Sequence, residues 1–212
     1  MDLSNTAIAI IVVLVVAGFL LGNFMAARPS PAAVRVADFR LMARSYQIFP
    51  KLIACPDWLV AQKNLISPVP ADRHPSEATA KIAQYTLTAH ELALPMVQYQ
   101  AVAGVWRLVE QDFYTAKMRQ QAARLDGVPI LLPGAIASRT LGLSMKANAV
   151  ALYWLDDKYQ HSHKAYKLDK NQAAADLVDM YKALIGWAET VATVKLSMGV
   201  VNQQPAEGDN IG

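Results

Sequence analysis

The chain has 212 residues, a formal charge of +3 and a 54% apolar composition, with one cysteine, Cys55. That length suits one domain of ordinary size with a short extra element. The charge balance lacks the dense Lys/Arg footprint of a nucleic-acid binder, and a lone cysteine excludes an internal disulfide framework.

Residues 3–27 carry no charged side chain, and the middle of the run reads Ile8-Ala9-Ile10-Ile11-Val12-Val13-Leu14-Val15-Val16. At a rise of about 1.5 Å per residue, some twenty helical residues cross a hydrocarbon core of roughly 30 Å. The expectation is a transmembrane helix near 6–24, making 1–27 a single-pass anchor. Asp2 is the sole charge before it, whereas Arg28, Arg35, Arg40, Arg44 and Lys51 follow it against Asp38 alone. Positive charge is retained on the cytoplasmic side, which predicts an inner-membrane protein with a cytoplasmic C-terminal domain. A cleaved signal peptide ending near Ala26-Ala27, and so an exported envelope-assembly domain, is the alternative. No Lys or Arg precedes the apolar run to favour it.

Arg28-Pro29-Ser30-Pro31 interrupts the helix, since each proline removes a donor and restricts its predecessor. Residues 28–50 read as a basic juxtamembrane segment with a helix over 32–49, on which Val36, Phe39, Ala43 and Tyr46 recur at helical spacing. Arg28, Arg35, Arg40 and Arg44 are the candidate residues for anionic headgroups of a lipid bilayer. The plainer reading solvates the arginines and turns Phe39 and Tyr46 to the domain.

Residues 51–200 are expected to form the domain proper. Strands are predicted at 51–54, 85–88, 94–102, 105–109 and 149–155, with a bend at Gly104 and the last strand buried on both faces. Pro68, Pro70 and Pro75 mark a loop over 64–76. A polar helix at 113–125 can end at Gly127, and 128–134 is an apolar connector. Asp169 is placed to cap a final helix, with Gln172 in capping-box position and a pattern running to Met198. Leu177, Leu184, Val191 and Met198 recur every seven residues, with Met180, Trp187 and Val194 between them. Such a seam could pair two copies as a homodimer, but Trp187 suits packing on the chain's own sheet better. Strands grouped centrally with helices around them predict an α+β fold, an antiparallel or mixed sheet with flanking helices. Residues 201–212 hold too few apolar groups to order and read as a disordered tail.

Asp156-Asp157-Lys158-Tyr159-Gln160-His161-Ser162-His163 offers weak candidate metal ligands in His161, His163 and Asp156. The plainer reading is a solvated turn flanked by lysines. Cys55 with His74 or His90 would make a nucleophile and base, but its apolar neighbours Leu52-Ile53-Ala54 and Trp58-Leu59-Val60 favour a neutral packed thiol. His90-Glu91 lacks a second histidine at Leu94, and no Walker, Gly-x-Gly-x-x-Gly or Gly-x-Ser-x-Gly motif is present. No catalytic residue and no cofactor is therefore assigned. Trp58, Trp106 and Trp187 suit a partner surface only if they lie outside the core.

Arg28-Pro29-Ser30-Pro31, Lys51-Leu52-Ile53, Pro56-Asp57-Trp58-Leu59, Val105-Trp106-Arg107-Leu108 and Val150-Ala151-Leu152-Tyr153-Trp154 resemble segments of uncharacterised single-pass inner-membrane proteins of gammaproteobacteria. The resemblance implies a membrane location and no activity. Some of that group are labelled accessory translocase subunits, but the Gly-Asp-x-Val-x-Thr motif expected of one is missing here. The functional expectation is a non-catalytic scaffold, assembly or regulatory factor of a membrane complex, with a membrane-protein partner and no nucleic acid. Its rival is a tethered metal protein or enzyme built on the His161/His163 region.

Overall fold

The structure, a computed structural model, describes residues 5–26, 30–62, 81–89, 91–156, 159 and 167–192. Helices α1 (Asn5–Ala26) and α2 (Pro31–Ser45) come first, then β1 (Ile48–Ala54) and a 3-10 turn (Asp57–Gln62). Strands β2 (Lys81–Thr88), β3 (Leu94–Val102) and β4 (Val105–Leu108) precede α3 (Ala116–Ala122) and the single turn α4 (Gly134–Ala137). Strands β5 (Thr140–Ala147) and β6 (Ala149–Trp154) and helix α5 (Lys170–Val191) complete the described fold.

The expected membrane anchor is corrected here. Among the described residues no helix is long and apolar enough to cross a membrane. That finding overturns the single-pass architecture, and with it the inner-membrane location with a cytoplasmic domain.

The fold is α+β, a six-stranded sheet in the order β1-β2-β6-β5-β3-β4, with every neighbouring pair antiparallel. Alternation sets its two faces. Tyr85, Leu87, Val97, Tyr99, Leu143, Met145, Leu152 and Trp154 point to one side, where Phe39 and Ala43 of α2 and Leu177, Met180 and Leu184 of α5 close the main core. On the opposite side a smaller cluster gathers Cys55, Leu59, Ile82, Leu141, Ala151, Tyr153 and Leu155. This second cluster lies beneath the 3-10 turn, a feature not expected from the sequence.

Several boundaries differ from expectation for local reasons. Helix α2 stops at Ser45, not 49, because Gln47 adopts φ 60° and the chain turns directly into β1. Phe49 thereby becomes a strand residue, and it is 54% exposed. The bend at Gly104 is a two-residue hairpin: Val102 pairs with Val105, and Ala103 and Gly104 both take positive φ, as a primed turn requires. Strand β5 was not anticipated, although Leu141, Leu143 and Met145 alternate. A register shift near Thr140–Gly142 sends Leu141 to the small cluster and the other two to the main core. The expected helix at 113–125 shrinks to seven residues, begun by Thr115, whose hydroxyl accepts from Met118 N–H.

Helix α5 starts where expected. The Asp169 carboxylate accepts from the N–H groups of Asn171 and Gln172, both at 3.1 Å. Gln172 does not complete a capping box; its amide reaches forward to Asp176 at 2.8 Å. Leu177, Leu184, Val191, Met180 and Trp187 are buried on the chain's own sheet. The helix ends at Val191; Val194 and Met198, and the tail beyond, lie outside the described residues. Replacing Asp169 with Ala is expected to cost about 1 kcal/mol, lowering Tm by roughly 3 °C. Scanning calorimetry checks it, and an unchanged Tm would mean the cap contributes nothing.

Candidate functional site

The polar side chains with the deepest burial form two nodes between the sheet and the helices. Arg40, on the inward side of α2, meets Asp156 just past the end of β6. Its Nε donates to Oδ2 at 2.6 Å and Nη2 to Oδ1 at 2.7 Å, while the Tyr85 hydroxyl donates to Oδ2 at 3.0 Å. The Asp156 side chain is 3% exposed and that of Arg40 29%. A two-pronged guanidinium contact is the geometry that best offsets burial of a carboxylate. The Asp156 hydrogen bond raises the Arg40 pKa above its ordinary value, against a lowering by burial.

Three residues on, Tyr159 connects this node to the second. Its N–H donates to the Asp156 carbonyl, and its ring packs 4.2 Å from that of Phe39. Its hydroxyl donates to Asp176 at 2.9 Å, on the buried side of α5. Trp154 stands edge-on to Phe39, Tyr85 and Tyr159, so the polar contacts are sealed by aromatic rings. One carboxylate thus ties α2 to the sheet, and the next ties the segment after β6 to α5.

This arrangement suits structure rather than chemistry. Burial, then the charge of Asp156, pushes the Tyr85 phenol well above its ordinary value. Burial also raises Tyr99 and Tyr159, helped in the latter by Asp176. None of these phenols is poised to exchange a proton near neutrality. Above about pH 10 the unfolded chain releases phenol protons that the folded chain keeps, so stability falls as pH rises. Each of these three buried tyrosines adds to that loss, and its contribution is intact below about pH 10. Urea titrations at stepped pH should show the unfolding midpoint dropping steeply above about pH 10. A midpoint unchanged two pH units higher would contradict the burial of these phenols.

The residues singled out from sequence do not assemble into a reactive centre among the described residues. Asp156 is engaged on both oxygens by Arg40 and Tyr85. His161 and His163 lie outside the described residues, as do His74 and His90. Among the described residues no three His, Cys, Asp or Glu side chains gather as a metal set. Cys55 is buried, and its Sγ lies 3.7 Å from the Pro56 carbonyl as a weak donor. The arginines expected as candidates for anionic headgroups are placed differently from one another where they are described. Arg40 points into the core, Arg35 is half-buried, Arg44 is exposed, and Arg28 lies outside the described residues. Trp106 and Trp187 pack edge-to-face at 5.0 Å within the core, and Trp58 is half-buried, edge-on to Tyr153.

Two surfaces stand out instead, and both are apolar. An open groove of about 640 Å³ runs beside α5, lined by Leu131, Leu132, Pro133, Ala183, Gly186 and Trp187, with Asp179 and Lys182 at its rim. Leu131 is 77% exposed at its edge. The apolar run at 128–134 was the sequence signal for it, but without knowledge that α5 passes alongside. The second surface is α1, where Ile10, Ile11, Val12, Val13, Leu14, Val15, Val16, Phe19, Leu20 and Leu21 are each 49–69% exposed.

No family model, curated protein or solved structure matches this chain. Its own residues are therefore the basis of any functional reading.

Proposed function

We propose that the protein is a non-catalytic assembly or scaffold module, attached to its complex through α1. The observation that carries this reading is the continuous exposed apolar surface of that helix. A helix that is apolar all round belongs in an interior, and exposed patches beyond a few hundred Å² mark interaction sites. The body supports the same reading from the other side. Among the described residues the two buried carboxylates are engaged, Asp156 holding α2 to the sheet and Asp176 holding Tyr159 to α5, and the groove beside α5 is lined by apolar side chains with one charge of each sign at the rim.

Affinity capture in mild detergent tests the reading, comparing the intact chain with one that begins at Pro31. The intact chain is expected to run as an assembly, with itself or with a defined protein, and the shortened chain as a free folded monomer. Equal recovery of nothing by both, in repeated captures, would sink the proposal.

A further inference from the structure

The large side chains on α1 are uncovered to an extent that fixes the scale of what must cover them. Ten of them, between Ile10 and Leu21, are 49–69% exposed. At roughly 100 Å² per large aliphatic side chain, the surface is on the order of 1,000 Å². A helix laid alongside can cover about half of that, so a pair of such helices buries on the order of 1,000 Å² in all, where specific interfaces begin. We infer that the occupant is α1 of a second copy, so that the chain is a twofold dimer joined by its N-terminal helices. This rests on the proposed attachment through α1 and names what it attaches to.

Charge permits that pairing and offers no selection for a different partner. Positions 10–23 contain no Asp, Glu, Lys or Arg, so two copies bring no like charges together and display none that would select a different protein. A twofold interface needs only a surface complementary to itself, which an aliphatic helix side supplies by interdigitation. The geometry leaves room for close approach. A Cβ added at Gly18 or Gly22 would meet nothing within 4 Å, and at helical spacing these two positions share a side with Ile11, Leu14 and Val15. The dimer would present two bodies, and so two grooves beside α5.

Single cysteines placed in turn at positions 10 to 21 of the intact chain, followed by mild oxidation in detergent, read the pairing directly. The native Cys55 is buried, and the unsubstituted chain is the control for it. Covalent dimers are expected at severalfold higher yield at positions repeating every three to four residues on one side of the helix. Dilution with excess detergent-solubilised chain lacking any introduced cysteine should lower that yield in proportion. Uniformly low yield with the intact chain running as a monomer, or in complex with lipid vesicles alone, overturns both this inference and the proposed function. Uniformly low yield together with capture of a different protein through α1 overturns the inference and leaves the proposed function standing.

Discussion

Replacing Arg40 with Met is expected to lower the unfolding free energy by about 3 kcal/mol, the low end of the cost of breaking a buried pair. The change removes two short hydrogen bonds and leaves the Asp156 carboxylate, 3% exposed, with the Tyr85 hydroxyl as its described side-chain partner. Asp156→Asn should cost less, because the Arg40 side chain is 29% exposed and can turn toward water. Removing both charges in Arg40→Met/Asp156→Leu should recover part of the loss, since an apolar pair of similar volume avoids desolvation. Urea unfolding of the four proteins compares these losses. If Arg40→Met shifts the midpoint no more than a surface substitution would, then the apolar side chains of α2, Phe39 and Ala43 foremost, hold it to the sheet without the ion pair.

Gly142→Val is expected to cost about 3 kcal/mol, through overpacking on the opposite face of the sheet. A Cβ at this position would stand 2.7 Å from Leu59 Cδ2, 2.8 Å from Trp58 Cζ3 and 2.8 Å from the Tyr99 carbonyl oxygen. The carbonyl belongs to the neighbouring strand and cannot withdraw without breaking the ladder. The 3-10 turn must therefore lift. That motion would also break the hydrogen bond from the Gln100 amide to the Trp58 carbonyl and separate the Trp58 and Tyr153 rings. The fall in stability should come with a change in tryptophan emission. A Gly142→Val protein with unaltered stability and emission would mean the turn is not packed on the sheet.

How far the sequence discloses this fold depends on the kind of signal. Periodicity and capping are local, so Asp169 and the seven-residue pattern place the start and buried side of α5, and branched and aromatic runs find β2, β3, β4 and β6. Signals that need a partner element were silent. Leu141, Leu143 and Met145 alternate within β5, but the interposed Gly142 weakens the strand pattern, and its purpose is visible only once Trp58 and Leu59 lie above it. Gln47 carries no sequence mark of its left-handed backbone, so the helical pattern in the sequence runs past the end of α2. Arg40 looked like the neighbours with which it was grouped. Only the 116-residue separation from Asp156, closed by the fold, turns it inward. The apolar N-terminal run is legible as a helix, α1, but among the described residues no helix is long and apolar enough to cross a membrane, so the anchor read from its composition does not stand.

Hydrogen exchange along the intact chain tests the central claim most directly, comparing the assembled protein with its shortened form beginning at Pro31. Amides of residues 10–23 should be strongly protected in the assembly, beyond what an isolated helix provides, while exchange in the sheet and α5 is the same in both forms. Rapid exchange throughout 10–23 in the intact protein, with no accompanying assembly, would show that nothing covers this helix and would contradict the account.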